Sequence, residues 1–480
     1  MPCDGRKKER KAEMETKETK ENILGTASVE QLMIKFSVPS IVAMLVSALY
    51  NIVDQFFIGQ TVGYLGNAAT NIAFPFTTSC LAFSLLLGIG GASCFNLNMG
   101  RGKKDKAPFY VGNSAMLLFC SGLVLMAATL LFLRPMLRLF GAPEDVLPYA
   151  VDYVSITALG FPFLVFTVGG CHLVRADGAP NISMLVNLTG AVINTVLDAL
   201  FVMNFHMGMK GAAIATVIGQ VVSSVLVFVY LTRYKTVHIG LEHLRPQWKV
   251  ITEILSIGMA SFFNQLAMML VQVVLNNSLR KYGAMSVYGD AVPLAAAGII
   301  MKVNQILFSV VIGLGQGTQP IVSFNYGARK YDRVKKAYIS ASAVAFGFSL
   351  VAFALFQTIP RQIIGIFGEG SDEYFAFGER YMRVFLFFVW LVALQPVTST
   401  FFTSIGKAVK GIFLSLTRQI IFFLPPLLIL PLFMGIEGII WTGPIADLLS
   451  GVVTVVMAVI EFKAMKMEEQ QLEQSVLAAS

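Results

Sequence analysis

Charge is what this chain has least of. Of its 480 residues only 13% are charged while 56% are hydrophobic, and the mean hydropathy is +0.70. A soluble domain carries about 25% charged residues, so this composition excludes a soluble enzyme built of buried helices and points to an integral membrane protein. Cysteine is sparse as well. Cys3, Cys80, Cys94, Cys120 and Cys171 are odd in number, scattered and mostly within apolar runs, so neither a disulfide framework nor a metal cluster is expected. The charged leader Arg6 to Lys20 is followed by a full-length apolar run and not by a short one with a small-residue cleavage site, so the first span is expected to anchor the chain uncleaved. Nucleophiles, acid–base pairs and metal-ligand sets do not gather at one point of the sequence, which argues against an enzyme. The net charge of +8 does not imply nucleic acid, because the Lys and Arg stand in the gaps between apolar runs.

What the chain does have is apolar segments, at 35–58, 69–97, 110–133, 148–172, 182–204, 212–232, 250–278, 293–322, 337–359, 380–402, 411–432 and 438–463. Each approaches or exceeds the ~20 residues that a bilayer requires, which predicts an all-α protein of twelve transmembrane helices. Ahead of them, residues 1–22 are almost free of apolar side chains and are expected to be a disordered tail. Arg101, Lys103, Lys104 and Lys106, then Arg233, Lys235, Arg245 and Lys249, then Arg329, Lys330, Arg333, Lys335 and Lys336 fall in alternate gaps, on the side of the basic N-terminal tail. By the positive-inside rule that side is cytoplasmic, with both termini on it, in the cell membrane.

Gly88, Gly90, Gly100 and Asp105 recur at one fixed offset as Gly315, Gly317, Gly327 and Asp332, and Gly208 and Gly211 recur as Gly435 and Gly438. An internal duplication follows: an N-terminal lobe of six helices at 23–235, a connecting loop at 236–249, a C-terminal lobe at 250–466 and a tail at 467–480. An even number of spans per repeat keeps the two copies parallel about an axis normal to the membrane, an arrangement that suits rocking transporters.

The polar residues inside the spans carry the chemistry. Asp198, within the apolar run Asn181 to Asn204, costs roughly 2.5–3.5 kcal/mol to bury ionised in a bilayer, so it needs a partner and a polar cavity. Asn194, one helical turn away, supplies the partner. At ~1.5 Å of rise per residue, Asp54 on the first span, Asn194 and Asp198 on the fifth and Thr216 on the sixth all reach the outer half of the membrane in one lobe. Two acids sharing a dry pocket cannot both stay charged unless a cation or a proton joins them, which predicts a sodium or proton switch. Gln265, Gln272, Lys302, Gln395 and Arg418 are candidates for a substrate cavity, with interhelical hydrogen bonding as the plainer role. His172 and His206 lie close to span ends and read as interfacial. Pro39, Pro75, Pro162 and Pro396 fall within spans, and a kink at Pro39 would move Asp54.

The opening tract LGTASVEQLMIKFSVPSIVAMLVSALYNIVDQFFIG, the RADG tract at Arg175 to Gly178, the NTVLD tract at Asn194 to Asp198 and the paired glycine-rich loops together resemble the multidrug and toxin extrusion (MATE) family, over Gly25 to Lys466. The resemblance implies two pseudo-symmetric six-helix bundles around a central cavity. It also implies export of amphipathic, cationic drugs or toxins in exchange for sodium or protons. No cofactor beyond that coupling ion is expected, and the protein is expected to be a monomer. By matching position, Asp54, Asn194, Asp198 and Thr216 would hold the coupling ion. The chain departs from the family in two places: GGCH at Gly169 to His172 stands where relatives often carry Asn, and Ser256 to Asn277 holds no acid where another branch has one. A lipid-linked oligosaccharide flippase of related fold is the alternative; it would need a strongly cationic cavity, and Lys302 and Arg418 are the main central cations.

Overall fold

The computed structural model describes residues 22–289, 291–366 and 371–479, so the tail expected at 1–22 lies, but for Asn22, outside the described residues. Asn22 caps a short helix, Ile23–Thr26, by accepting from the Leu24 N–H at 3.1 Å. Among the described residues eleven helices are long and apolar enough to cross a membrane, and a pair bent by 49° makes a twelfth if it is taken as one span. In order these are α1 (Val29–Thr61), α2 (Tyr64–Gly100), α3 (Ala107–Leu131), α4 (Leu147–Ala176), α5 (Pro180–Asn204), α6 (Gly208–Thr232), α7 (Trp248–Ala284), α8 (Ala291–Gly327), α9 (Tyr331–Thr358), α10 (Asp372–Phe385 with Val389–Ser404), α11 (Ala408–Met434) and α12 (Ile436–Ala479). All twelve expected segments fall on one of these helices, and no strand occurs among the described residues.

Capping chemistry and proline explain where several helices start and break. Ser28 opens α1 by accepting from the Gln31 N–H at 3.3 Å, with Glu30 in the first turn favoured by the helix dipole. Pro162 sits at the start of Phe161–Ala176, just after a 3₁₀ turn at Ala158–Gly160 that interrupts α4. Pro396 follows the bend of α10. Pro39 and Pro75 instead lie inside unbroken helices. At the far end α12 runs on to Ala479, well past the apolar segment, because its last turns are built from Met, Glu, Gln and Leu, good helix formers. Glu468 in that extension is fixed by Lys407 at 3.7 Å and by the Tyr331 hydroxyl at 3.1 Å.

Two apolar cores form, one per lobe, and each borrows one helix end from the other lobe. Leu32, Met33 and Phe36 of α1 lie in the C-lobe core, while Val250 and Ile254 of α7 lie in the N-lobe core. The strongest packing between lobes is accordingly α2 against α7 and α1 against α8. Glycines make it that close. A Cβ on Gly90 or Gly258 would meet the backbone of Ile254 or Leu86 across the α2–α7 seam; one on Gly100, Gly317 or Gly327 would meet the backbone of Phe324, Phe36 or Leu97. Gly90 and Gly100 are repeat partners of Gly317 and Gly327, so the duplicated motif is the surface on which the lobes meet, at the ends nearer the basic loops. A buried polar bridge crosses the same seam, where Gln319 donates to Ser93 Oγ at 2.9 Å and to the Ile89 carbonyl at 3.3 Å.

Candidate functional site

α1 and α5 pack along each other within the N lobe, and the polar side chains that cannot face lipid meet where they touch. Asp54, Asn194 and Asp198 are 9%, 3% and 0% exposed. The carboxyl groups of Asp54 and Asp198 are close neighbours across the two helices. A carboxylate only accepts, so the two can bond to each other only when one of them carries a proton. The Asn194 amide satisfies its neighbours in one orientation: its NH2 donates to Asp198 Oδ2 at 3.1 Å, and its carbonyl accepts from the Thr216 N–H at 3.2 Å. The Thr216 hydroxyl donates to the Ala212 carbonyl at 3.0 Å. Thus the four residues singled out by sequence, spread over 163 positions from Asp54 to Thr216 inclusive, converge in one buried cluster.

Two oxygens of the pair, Asp54 Oδ1 and Asp198 Oδ1, are buried with no hydrogen-bond partner among the described residues. Buried polar atoms are rarely left so, since each costs ~1–3 kcal/mol. Chemically the cluster can gain or lose a proton, or hold a small hard cation on oxygens. The regular helix of α5 ends at Asp198 and continues as a π-helical turn over Ala199–Asn204, a distortion frequent at functional sites.

Sequence reasoning missed two tyrosines. Tyr50 lies one turn before Asp54 on the same face of α1 and close to both acids, a spacing that was there to be read. Tyr153 of α4 approaches both acids and reaches the Thr216 hydroxyl, and nothing in the sequence relates it to them.

The C-lobe candidates do not form a comparable cluster. Gln265 and Gln272 are half-buried on α7, with Gln272 donating to Asn276 at 2.9 Å, and Lys302 is half-buried on α8. Gln395 and Arg418, considered above for a substrate cavity, have partners inside the bundle. Gln395 reaches the Leu414 carbonyl at 3.5 Å, and Arg418 places two nitrogens on Asp447 Oδ1 at 2.9 and 3.2 Å. Asp447, 29 residues from Arg418, has no spacing signal to reveal it. His172 also differs from expectation: it is 2% exposed and faces Gln319 of α8, whereas His206 is exposed in the turn between α5 and α6.

The RADG tract has a structural task. Asp177, just after α4, accepts from the Tyr230 hydroxyl at 2.7 Å, the Lys235 N–H at 2.8 Å, the Thr236 N–H at 2.9 Å and the Thr236 hydroxyl. Burial pushes its carboxyl above the ordinary aspartate value, and these four donors act against the rise. Asp177→Ala leaves buried donors unpaired at ~1–3 kcal/mol each. The variant is expected to show a clearly lowered thermal midpoint in detergent while Asp177→Asn recovers part of it; equal midpoints for wild type and Asp177→Ala would refute the anchoring role.

Comparison with known proteins adds the following. The MatE family model matches residues 39–200 and 260–429. The Multidrug export protein MepA of Staphylococcus saprophyticus is 27% identical over 432 residues, covering 88% of this chain and 91% of that protein. Its namesake in Staphylococcus aureus strain MSSA476 is 26% identical over 427 residues, covering 87% and 91%. Among solved structures, the outward-facing conformation of a multidrug resistance MATE family transporter of the MOP superfamily superposes with a TM-score of 0.86 at 24% identity, over 94% of this chain and 99% of that one. MATE in complex with MaL6 does so with a TM-score of 0.87 at 23% identity, over 94% and 100%.

Proposed function

This chain belongs to the MatE family, whose members are membrane transporters and not enzymes, and from that premise we propose that it is an antiporter. It exports amphipathic, cationic drugs or toxins in exchange for sodium or protons by alternating access. The observation that supports this most is the buried Asp54–Asp198 pair with its two unpartnered oxygens, at the contact of α1 and α5.

The mechanism follows from α1. Its first turns belong to the C-lobe core and its later turns carry Asp54 against α5 of the N lobe, so it ties the two lobes together. With a proton on the pair, Asp54 and Asp198 attract; with the proton gone and no cation in its place, two carboxylates in a dry pocket repel. Site occupancy therefore biases how α1 sits against α5, and through α1 how the lobes sit against each other. A ligand shifts such an equilibrium only by its differential affinity for the two states. Sodium would demand a different local geometry from a proton: both carboxylates ionised, and the Asn194 amide turned so that its oxygen faces the ion.

In this reading both termini are cytoplasmic, on the side of the loops rich in Lys and Arg, in the cell membrane; the positive-inside rule supports it. The lobe boundaries are 23–235 and 250–466, and the functional unit is a monomer. Gln265, Gln272, Lys302, Gln395 and Arg418 are the C-lobe candidates for contact with a substrate. The flippase reading is weakened by Arg418, whose charge is matched by Asp447 at 2.9 Å.

Drug efflux from proteoliposomes under separately imposed sodium and proton gradients tests the proposal. Efflux that follows one gradient and ignores the other identifies the ion; efflux that ignores both refutes antiport.

A further inference from the structure

On the basic face the seam between the lobes opens into a cleft of about 680 Å³. Arg101 and Lys103, at the end of α2, line it from the N lobe; Tyr326, Arg329 and Tyr331, at the junction of α8 and α9, line it from the C lobe. The two tyrosine rings stand edge to face, 5.6 Å apart. Several nearby cations already have partners. Lys336 pairs with Glu30 at 2.5 Å, Lys330 and Arg333 hold the carbonyls of Gly25 and Ala27 at 2.9 and 2.6 Å, and Lys407 and Lys410 hold Glu461 at 2.6 and 2.5 Å. The side chains of Arg101, Lys103 and Arg329 have no ion pair or hydrogen bond among the described residues. Glu468, which accepts from Tyr331, is matched by Lys407.

Membrane topology alone explains basic residues on this face, but not their convergence across the seam. Nor does it explain the backbone of Arg329, which sits in the left-handed region at φ 57°. The corresponding residue of the first repeat is Gly102, at φ 74°, which takes that conformation at no steric cost, as arginine does not. A non-glycine residue held in this region is a pointer to function.

We propose that the cleft binds a phosphate-bearing anion across the seam, presented either as the headgroup of an acidic phospholipid or as a free polyphosphate. Three unpaired cations from two lobes match a multiply charged anion better than a single carboxylate, and the two guanidinium groups suit phosphate oxygens bidentately. The volume accommodates more than one phosphate. This site is separate from the acidic pair and does not depend on antiport.

The test uses full-length protein in phosphatidylcholine nanodiscs, with thermal midpoint as the readout. One arm adds potassium tripolyphosphate against potassium chloride of equal ionic strength; the other adds phosphatidylglycerol to the nanodisc. A saturable rise in the first arm alone identifies a free polyphosphate, in the second alone a lipid headgroup, and in both a shared phosphate site. Arg101→Gln and Arg329→Gly should each raise the half-saturating amount about tenfold, the weight of one charge-assisted hydrogen bond. Arg329→Gly should do so without lowering the unliganded midpoint, because it restores the residue its repeat partner uses. No saturable rise in either arm, or a full response in both variants, overturns the proposal.

Discussion

Asp198→Asn is expected to abolish the response of drug efflux to any imposed ion gradient while leaving the protein folded. Asp198 is 0% exposed and lies against both Asp54 and Asn194, and an amide of the same shape can keep both contacts. What it cannot do is gain or lose charge. Coupling free energies between sites are typically about 1–3 kcal/mol, so a gradient effect of about 5–150-fold on efflux should collapse to none. The thermal midpoint should hold or rise, since one buried ionisable group is replaced by a neutral one. Asp54→Asn should behave similarly, and the double variant should be no worse than either single one, because the two acids act as one unit. Gradient-driven efflux at the wild-type rate from Asp198→Asn proteoliposomes would remove the pair from the mechanism.

Gly258→Ala is expected to cause an equally severe loss by a different route. Its new methyl would occupy the position of the Leu86 carbonyl, a backbone atom that cannot turn away, at the strongest contact between the lobes. Close-packed interiors do not absorb such an overlap, and overpacking costs about 1–3 kcal/mol in water-soluble cores. Here α2 and α7 must part. A state favoured by a few kcal/mol falls to a minor population when that much is removed, roughly tenfold for each 1.4 kcal/mol. Labels on cysteines placed at Lys104 and Lys335, in an otherwise cysteine-free chain, should report a longer separation, with efflux largely lost although the protein still reaches the membrane. An unchanged label distance would show that the glycine seam does not hold this face closed.

Much was legible in the sequence because a bilayer imposes one-dimensional rules. Helix length, the placement of Lys and Arg, and the high cost of a buried carboxylate act locally, so the twelve spans and the singularity of Asp54 and Asp198 could be read from runs and exceptions. The glycine repeat was equally plain as a pattern, but its purpose was not. That Gly90 and Gly317 press on backbone of the opposite lobe depends on how two helices cross, which spacing along one chain does not specify. The same limit explains Gln395 and Arg418. A polar side chain within a span signals that it has a partner, yet whether that partner is a substrate or Asp447 is a question of three dimensions.

By itself the sequence determined the all-helical membrane architecture, its duplication and the short list of residues too polar to face lipid, because each of these follows from the solvation of single groups and from periods along the chain. Tertiary structure alone decided that α1 begins in one lobe's core and ends beside the acids of the other, that Tyr153 joins those acids, and that Arg101 and Arg329 line one cleft from opposite sides of the seam. Those are relations between residues far apart in the chain, fixed by packing energies that no single residue carries.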